Sequence, residues 1–283
     1  MKQKVGIIGL GLIGGSMALA LKDAMSVEIF GKDTHHLPKA LDLGLADKLL
    51  TDENIPEMDI IIIATPVNTI GKIAVDILDK INPDCLVFDV GSTKHSIAKQ
   101  IDYHVNRKNY VLAHPIAGTE YSGPEAAFST LFKNKMNIIC DTDKTDKKLL
   151  VKATQIFDNL KMNTIKMESA EHDKHIAYVS HLSHISSFML GKTVLDLEKN
   201  EKNIFDMAGS GFASTVRLAK SSPKTWTPIF IENKEHILQS LEEYIDNLNE
   251  FKVMLYRENR QKIEAELEKI NHIKNVIDNV ENN

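Results

Sequence analysis

Four stretches of this 283-residue chain place reactive or phosphate-seeking groups at spacings that local structure alone does not demand. The first is Gly9-Leu10-Gly11-Leu12-Ile13-Gly14. It follows an apolar run at 5–8 and precedes a helix-like run at 16–22, the strand, turn and helix order of a dinucleotide cradle. Gly9 permits a tight turn, Gly11 lets the backbone approach a pyrophosphate, and Gly14 lets helix and strand pack closely. The amides that open the helix then face the phosphates. Asp33, at the end of the second apolar run, stands where a carboxylate accepts both hydroxyls of an adenosine ribose. It favours NAD over NADP, because no arginine in Thr34-His35-His36 offsets its charge against a 2′-phosphate, although His35 or His36 could assist one. Thr65 and Val67, in Ala64-Thr65-Pro66-Val67 at a strand end, are assigned to the same cofactor, the alternative being a plain turn begun by Pro66.

The other three stretches suit a reacting substrate. Asp89-Val90-Gly91-Ser92-Thr93-Lys94 ends a strand beside the expected nicotinamide position, though Ser92 taken alone also reads as a helix N-cap. His114-Pro115-Ile116-Ala117-Gly118-Thr119-Glu120-Tyr121-Ser122-Gly123 ends the next strand. A histidine at a strand end faces the crevice, whereas one inside a strand is more often a satisfied core residue. Ser180-His181-Leu182-Ser183-His184 lies on the first long helix of the second half, where Ser180 and His184, four apart, share a face. A zinc site from His172, His175, His181 and His184 is conceivable, but no cysteine or carboxylate completes a set. Polar packing at a domain interface is the stronger alternative, and no metal is expected.

The elements that must position these groups follow from hydrophobic period. Short β-branched runs at 5–9, 27–30, 60–64, 86–90, 110–113 and 137–140 alternate with helical patterns, which gives a parallel sheet with helices on both faces. A further strand is expected at 163–167, after a helix that includes 149–160. From Ser169 onward helix-period patterns dominate. The expected organisation is therefore an α/β Rossmann-type domain at 1–168 and an all-α domain at 169–283. Within the latter, Ile237, Leu241, Tyr244, Leu248, Phe251 and Leu255 recur at steps of four and three, a helical seam that suits packing within its own domain or against a second subunit.

Composition narrows the class. The chain is 43% apolar and 26% charged, ordinary globular values. A formal net charge of −5, without a Lys/Arg stripe, argues against a nucleic-acid surface. Cys85 and Cys140 lie in apolar runs and read as buried thiols in a reducing compartment. The basic and apolar start looks superficially like a leader, but its glycines fall where the nucleotide turn needs them, so it reads as mature fold. No later apolar run reaches the roughly 18 to 20 residues that cross a bilayer. A soluble cytoplasmic protein is expected, with neither membrane nor nucleic acid as partner.

GLGLIGGS, DVGSTK, HPIAGTEYSG, SHLSH and the later GSGFASTVRLAKSSPKTW together resemble the motif series of the prephenate and arogenate dehydrogenase family, in that family's order and over most of the chain. The resemblance implies an N-terminal dinucleotide domain and a helical C-terminal domain that dimerises, with the active site between them. It implies NAD-dependent oxidative decarboxylation of prephenate, or of arogenate in a dual-specificity cyclohexadienyl dehydrogenase. It carries the catalytic histidine onto His114, its hydrogen-bonding serine onto Ser92, and substrate-binding roles onto Ser180, His184, Thr119 and Glu120. The arginine that holds the ring carboxylate maps onto Arg217. That residue is one of four arginines and lies among small residues at 210–215, a setting that suits a bidentate carboxylate. Relatives commonly carry an acidic residue three before this arginine and threonine just before it. Here stand Ser214 and Val216, a departure that bears on any gating ion pair between this segment and Glu120.

Two other classes compete. A β-hydroxyacid or imine reductase shares the two-part architecture, but HPIAGTEYSG and SHLSH argue against it, as does the absence of a helix-borne lysine beside a glycine-rich segment. A non-catalytic NAD-sensing protein is disfavoured by the joint presence of Ser92, His114 and Arg217.

Overall fold

Four consecutive isoleucines, Ile60–Ile63, have no solvent exposure, as expected of a strand covered on both faces. Around them the structure, a computed structural model describing residues 2–199 and 203–275, forms an eight-stranded sheet. In chain order the first half runs β1 (Gln3–Ile8), α1 (Leu12–Ala24), β2 (Val27–Lys32), α2 (Leu37–Asp42), β3 (Lys48–Leu49), β4 (Ile60–Ile63) and α3 (Val67–Leu78). It continues β5 (Leu86–Asp89), α4 (His95–Ile101), β6 (Tyr110–Pro115), β7 (Met136–Cys140), α5 (Lys147–Asn159) and β8 (Asn163–Met167). Helices follow: α6 (Ser169–Ile176), α7 (Leu182–Glu198), α8 (Ser210–Thr215), α9 (Pro223–Glu232), α10 (Lys234–Tyr256) and α11 (Arg260–Ile270).

The strand order is β3-β2-β1-β4-β5-β6-β7-β8. β1 pairs in parallel with both β2 and β4, so the chain reverses its winding there, and the crevice outside the carboxyl ends of these strands is where a doubly wound sheet takes its ligand. One face is packed by Met17 and Leu21 of α1 and by Ala153 and Phe157 of α5 against Val5, Ile7, Ile62, Phe88 and Val111. The other is packed by Ile70 and Ile77 of α3 and Ile97 and Ile101 of α4 against Ile61, Ile63, Val87 and Leu112.

Three features differ from the sequence expectation. The sheet is not wholly parallel, because β7 runs antiparallel to β6. A parallel return needs a crossover, and between Pro115 and Met136 the chain carries only a one-turn 3-10 segment, Pro124–Ala126. β6 also runs two residues beyond the expected end at Ala113, so His114 lies within the strand, in register with Ile138. The two-residue β3, paired with β2, is too short to leave a periodic signal.

The change from sheet to helices comes after Met167, where a domain boundary is expected, but the first compact unit runs on to Lys234 and the second from Glu235. The reason is packing: Ile229 of α9 is buried in the core on the α3 and α4 face, and Trp226 packs against it. In the second unit, α10 carries the expected apolar seam. Ile237 is 5% exposed, whereas Leu248 and Leu255 are 52% and 55% exposed, so within one chain the seam is open along its later half.

Candidate active site

The glycine turn has the geometry of a dinucleotide cradle. Gly9 adopts φ +92°, where a β-carbon would sit 2.5 Å from the Ala64 carbonyl oxygen, and a β-carbon on Gly14 would sit 1.9 Å from that of Gly9. Both positions therefore require glycine. Gly11 has nothing within 4 Å of where its β-carbon would lie, which leaves open space over the amides that begin α1. No side chain caps that helix, and its first-turn amides have no intrahelical acceptors. Leu10 is buried in the core, while Leu12 and Ile13 are half-buried.

Asp33 closes the far end of the cradle. One of its carboxylate oxygens accepts from the Leu10 amide at 2.7 Å, and the other from the amides of His35 and His36, each at 2.8 Å. Burial works to raise its pKa, but the three amides hold it below the ordinary carboxylate value. The group is therefore a fixed anion at neutral pH, suited to ribose hydroxyls and opposed to a 2′-phosphate. Next to the turn, the Thr69 hydroxyl donates to the Pro66 carbonyl at 2.7 Å and lies 2.9 Å from Thr65 Oγ1. Val67, the first residue of α3, is 6% exposed with its side chain in the core, so only its backbone is available to a ligand. These residues fit a dinucleotide; when bound, that group supplies a hydride acceptor. Asp33→Ser should shrink the NAD over NADP ratio of kcat/KM by about tenfold, equivalent to roughly 1.4 kcal/mol of relieved repulsion. An unchanged ratio would mean that Asp33 does not meet the ribose.

Three strands along the same sheet edge, His114 is 8% exposed. Its Nδ1 lies 2.8 Å from Nε2 of His172, whose Nδ1 lies 2.7 Å from Oδ1 of Asp173. Burial pushes the His114 imidazole well below the usual histidine range, and His172, Lys94 and His181 push the same way. The ring is thus neutral at neutral pH. The expected partner differs: among the described residues no hydrogen bond joins Ser92 to His114, and the half-buried Ser92 stays on the loop before α4. Beneath the site Lys94, fully buried, pairs with the equally buried Asp89 and donates to the Ala113 carbonyl at 2.6 Å, tying the ends of β5 and β6 together.

The SHLSH stretch begins in a π-helical turn, Ala177–His181, a local widening that often marks functional positions. His184 Nδ1 meets the Ser180 carbonyl at 3.0 Å, and its ring stacks on Trp226 with centroids 3.4 Å apart. Burial lowers the His184 pKa; the Ser180 contact raises it and the charge of Arg217 lowers it. Arg217 is exposed. Thr119 and Glu120 are exposed on the loop after β6, where the Thr119 hydroxyl accepts from the Tyr121 amide at 3.2 Å. Among the described residues no group of three or more His, Cys, Asp or Glu side chains is placed to hold a metal. His172 is engaged by His114 and Asp173, and His175 is exposed.

His181 is 1% exposed. Its Nδ1 lies 3.2 Å from Nδ2 of Asn233, which also donates to the Asp173 carbonyl at 2.6 Å. Burial pushes this imidazole down to about 4. The unfolded chain takes a proton near pH 6.5 and the folded chain does not, so stability falls as pH drops between these values. The loss from His181 is about 2 kcal/mol by pH 5. Urea midpoints at pH 7 and pH 5, compared in wild type and His181→Gln, should show a smaller acid loss in the variant; equal losses would place the destabilisation elsewhere.

Asp173, Lys94, Trp226 and Asn233 have no role assigned by sequence reasoning, and His172 enters it only in the disfavoured zinc set. The available signal is the His-Asp pair at 172–173 near the start of a helix that follows the last strand.

An acidic-ended glycine cradle on a doubly wound sheet, with a buried neutral base on the same edge, defines a dinucleotide-dependent oxidoreductase. Residues 17–166 match the nucleotide-binding domain of prephenate dehydrogenase and residues 168–274 its dimerization domain. The prephenate dehydrogenase of Bacillus subtilis is 31% identical over 276 residues, spanning 93% of this chain and 73% of that one. The cyclohexadienyl dehydrogenase of Zymomonas mobilis is 30% identical over 260 residues, spanning 89% and 88%. The crystal structure of prephenate dehydrogenase from Aquifex aeolicus, in complex with hydroxyphenyl propionate and NAD+, superposes with a TM-score of 0.89 at 32% identity, covering 98% of this chain and 99% of that one. The chain belongs to the prephenate dehydrogenase family.

Proposed function

We propose that this protein uses NAD to oxidise and decarboxylate prephenate to 4-hydroxyphenylpyruvate, on the route to tyrosine. The observation that carries the reading is the buried, neutral His114 on the sheet edge that also bears the dinucleotide cradle. Hydride leaves the carbinol carbon only as the hydroxyl proton is drawn away, and His114 is the acceptor for that proton. Departure of carbon dioxide returns its bonding pair to the ring, which becomes aromatic as the ring oxygen takes a proton. Arg217 holds the ring carboxylate, while Ser180, His184, Thr119 and Glu120 contact the substrate.

In this reading residues 1–168 bind NAD and residues 169–283 supply substrate-binding and dimerising helices. The open seam at Leu248 and Leu255 supports a homodimer, as does the name of the matching domain. A light-scattering mass of one chain at micromolar concentration would overturn that part. Among the described residues no helix is long and apolar enough to cross a membrane, and the two cysteines are buried and free, which supports a cytoplasmic location.

The test is NADH appearance, with kcat/KM measured for prephenate and arogenate, each with NAD and NADP. Prephenate with NAD should give the highest value. Turnover of arogenate alone would transfer the reading to the amino substrate, and dual turnover would match the cyclohexadienyl dehydrogenase relative. Turnover of neither would overturn the function.

A further inference from the structure

His114 offers its proton acceptor on only one of two ring nitrogens, and the surrounding fold selects which. Asp173 is 2% exposed. Its Oδ1 accepts from the Lys94 amide at 2.7 Å and its Oδ2 from the His95 amide at 2.9 Å, so the carboxylate also caps the amino end of α4 from a distant helix. Burial works to raise this carboxyl, yet His172 and the two amides hold it below the ordinary value. It is therefore an anion, and an anion 2.7 Å from His172 Nδ1 requires the proton on that nitrogen. A His172 that holds its one proton there faces His114 with the lone pair of Nε2, and only a donor can meet it, so the 2.8 Å bond between the rings then places the His114 proton on Nδ1 and leaves its Nε2 bare.

We propose that His172 and Asp173 are positioning residues that lock His114 in the tautomer with a free Nε2 and offset the charge when it accepts the substrate proton. The proposal rests on the reading of His114 as the base. When Nε2 takes the hydroxyl proton, the bond from Nδ1 to His172 becomes charge-assisted and shorter, and the carboxylate of Asp173 sits one ring further along. No proton needs to leave the chain of groups for this to work. The arrangement applies the logic by which an acid fixes a base's tautomer in serine hydrolases, with a second imidazole between acid and base. Besides His172 and Asp173 on α6, the charged or titratable groups around the ring are Lys94, paired with Asp89, and His181 in the π-helical turn.

Two readouts test this. In protein labelled with 15N-histidine, with the His114 signals assigned by their loss in His114→Asn, wild-type His114 should show a protonated Nδ1 and a bare Nε2. His172→Phe fills the space but removes the acceptor. It should lower kcat by about tenfold with KM for prephenate and NAD affinity nearly unchanged, and should let the Nε2–H tautomer appear. His172→Gln places a carbonyl oxygen near the lost Nε2 and should return kcat to within about threefold of wild type. Wild-type His114 protonated on Nε2, or His172→Phe with undiminished kcat, would overturn the proposal. Should His172→Phe fail to fold, a Gln variant no better than His172→Ala would do the same. The tautomer measurement needs no substrate, so a correct tautomer in a protein that does not oxidise prephenate would leave the relay standing and remove the substrate assignment instead.

Discussion

His114→Asn lowers kcat for prephenate by about 10²-fold or more and leaves NAD affinity nearly intact. Asparagine places its amide close to where Nδ1 stood, so the proposed donor toward His172 Nε2, 2.8 Å away in the wild type, has a counterpart. Nothing replaces Nε2. The variant thus removes the acceptor for the hydroxyl proton while keeping the bond that holds the strand against α6. The pH profile follows from the same environment. The proposed base works when neutral, and burial keeps the His114 pKa well below the usual histidine value. Wild-type kcat/KM should therefore hold steady as pH falls through the range where a free histidine titrates, and decline only below it. Near-normal turnover in His114→Asn would remove this residue from its role. An acid limb at the ordinary histidine value would mean that the ring is more solvated than its 8% exposure implies.

The cofactor half was legible because its constraints are local. Gly9 and Gly14 are required by contacts within one turn, and such requirements leave their mark at fixed spacing. The four isoleucines of β4 and the alternation around them gave the sheet for the same reason. What sequence could not give was pairing across distance. The direction of β7 is decided by the lack of a crossover helix, and a stretch rich in glycine and small residues does not announce which way its exit strand runs. His172 and Asp173 are separated from their partners by 58 residues in one case and by 79 and 78 in the other. A histidine next to an aspartate on a helix is ordinary in isolation, and only the fold sets it against β6. Trp226 was visible in the last motif, but its stacking on His184 depends on how α9 returns to α7. The boundary at 168/169 marked the change of secondary structure; the compact unit extends further because α9 buries Ile229 in the core of the α3 face.

Arg217→Ala raises KM for prephenate steeply, with a loss of about 2 to 5 kcal/mol in substrate binding. The structure gives that expectation a direction. Arg217 opens a short 3-10 turn, Arg217–Lys220, its side chain is exposed, and it makes no ion pair among the described residues. Its charge is felt at His184, whose ring lies on Trp226. A cation with no ion-pair partner among the described residues, whose charge reaches an imidazole stacked on an indole, suits a ring that carries a carboxylate. Because the guanidinium is open to water in the single chain, the effect belongs near the lower end of the range, about 30-fold in KM, unless the bound substrate excludes that water. Lysine keeps the charge but loses the planar pair of donors, so Arg217→Lys should recover only part of the loss. NAD affinity should barely move in either variant, since the proposed dinucleotide site at Gly11 and Asp33 lies elsewhere on the sheet edge. Equal KM in wild type and Arg217→Ala would show that another cation holds the carboxylate, and would weaken the case for a dicarboxylate substrate.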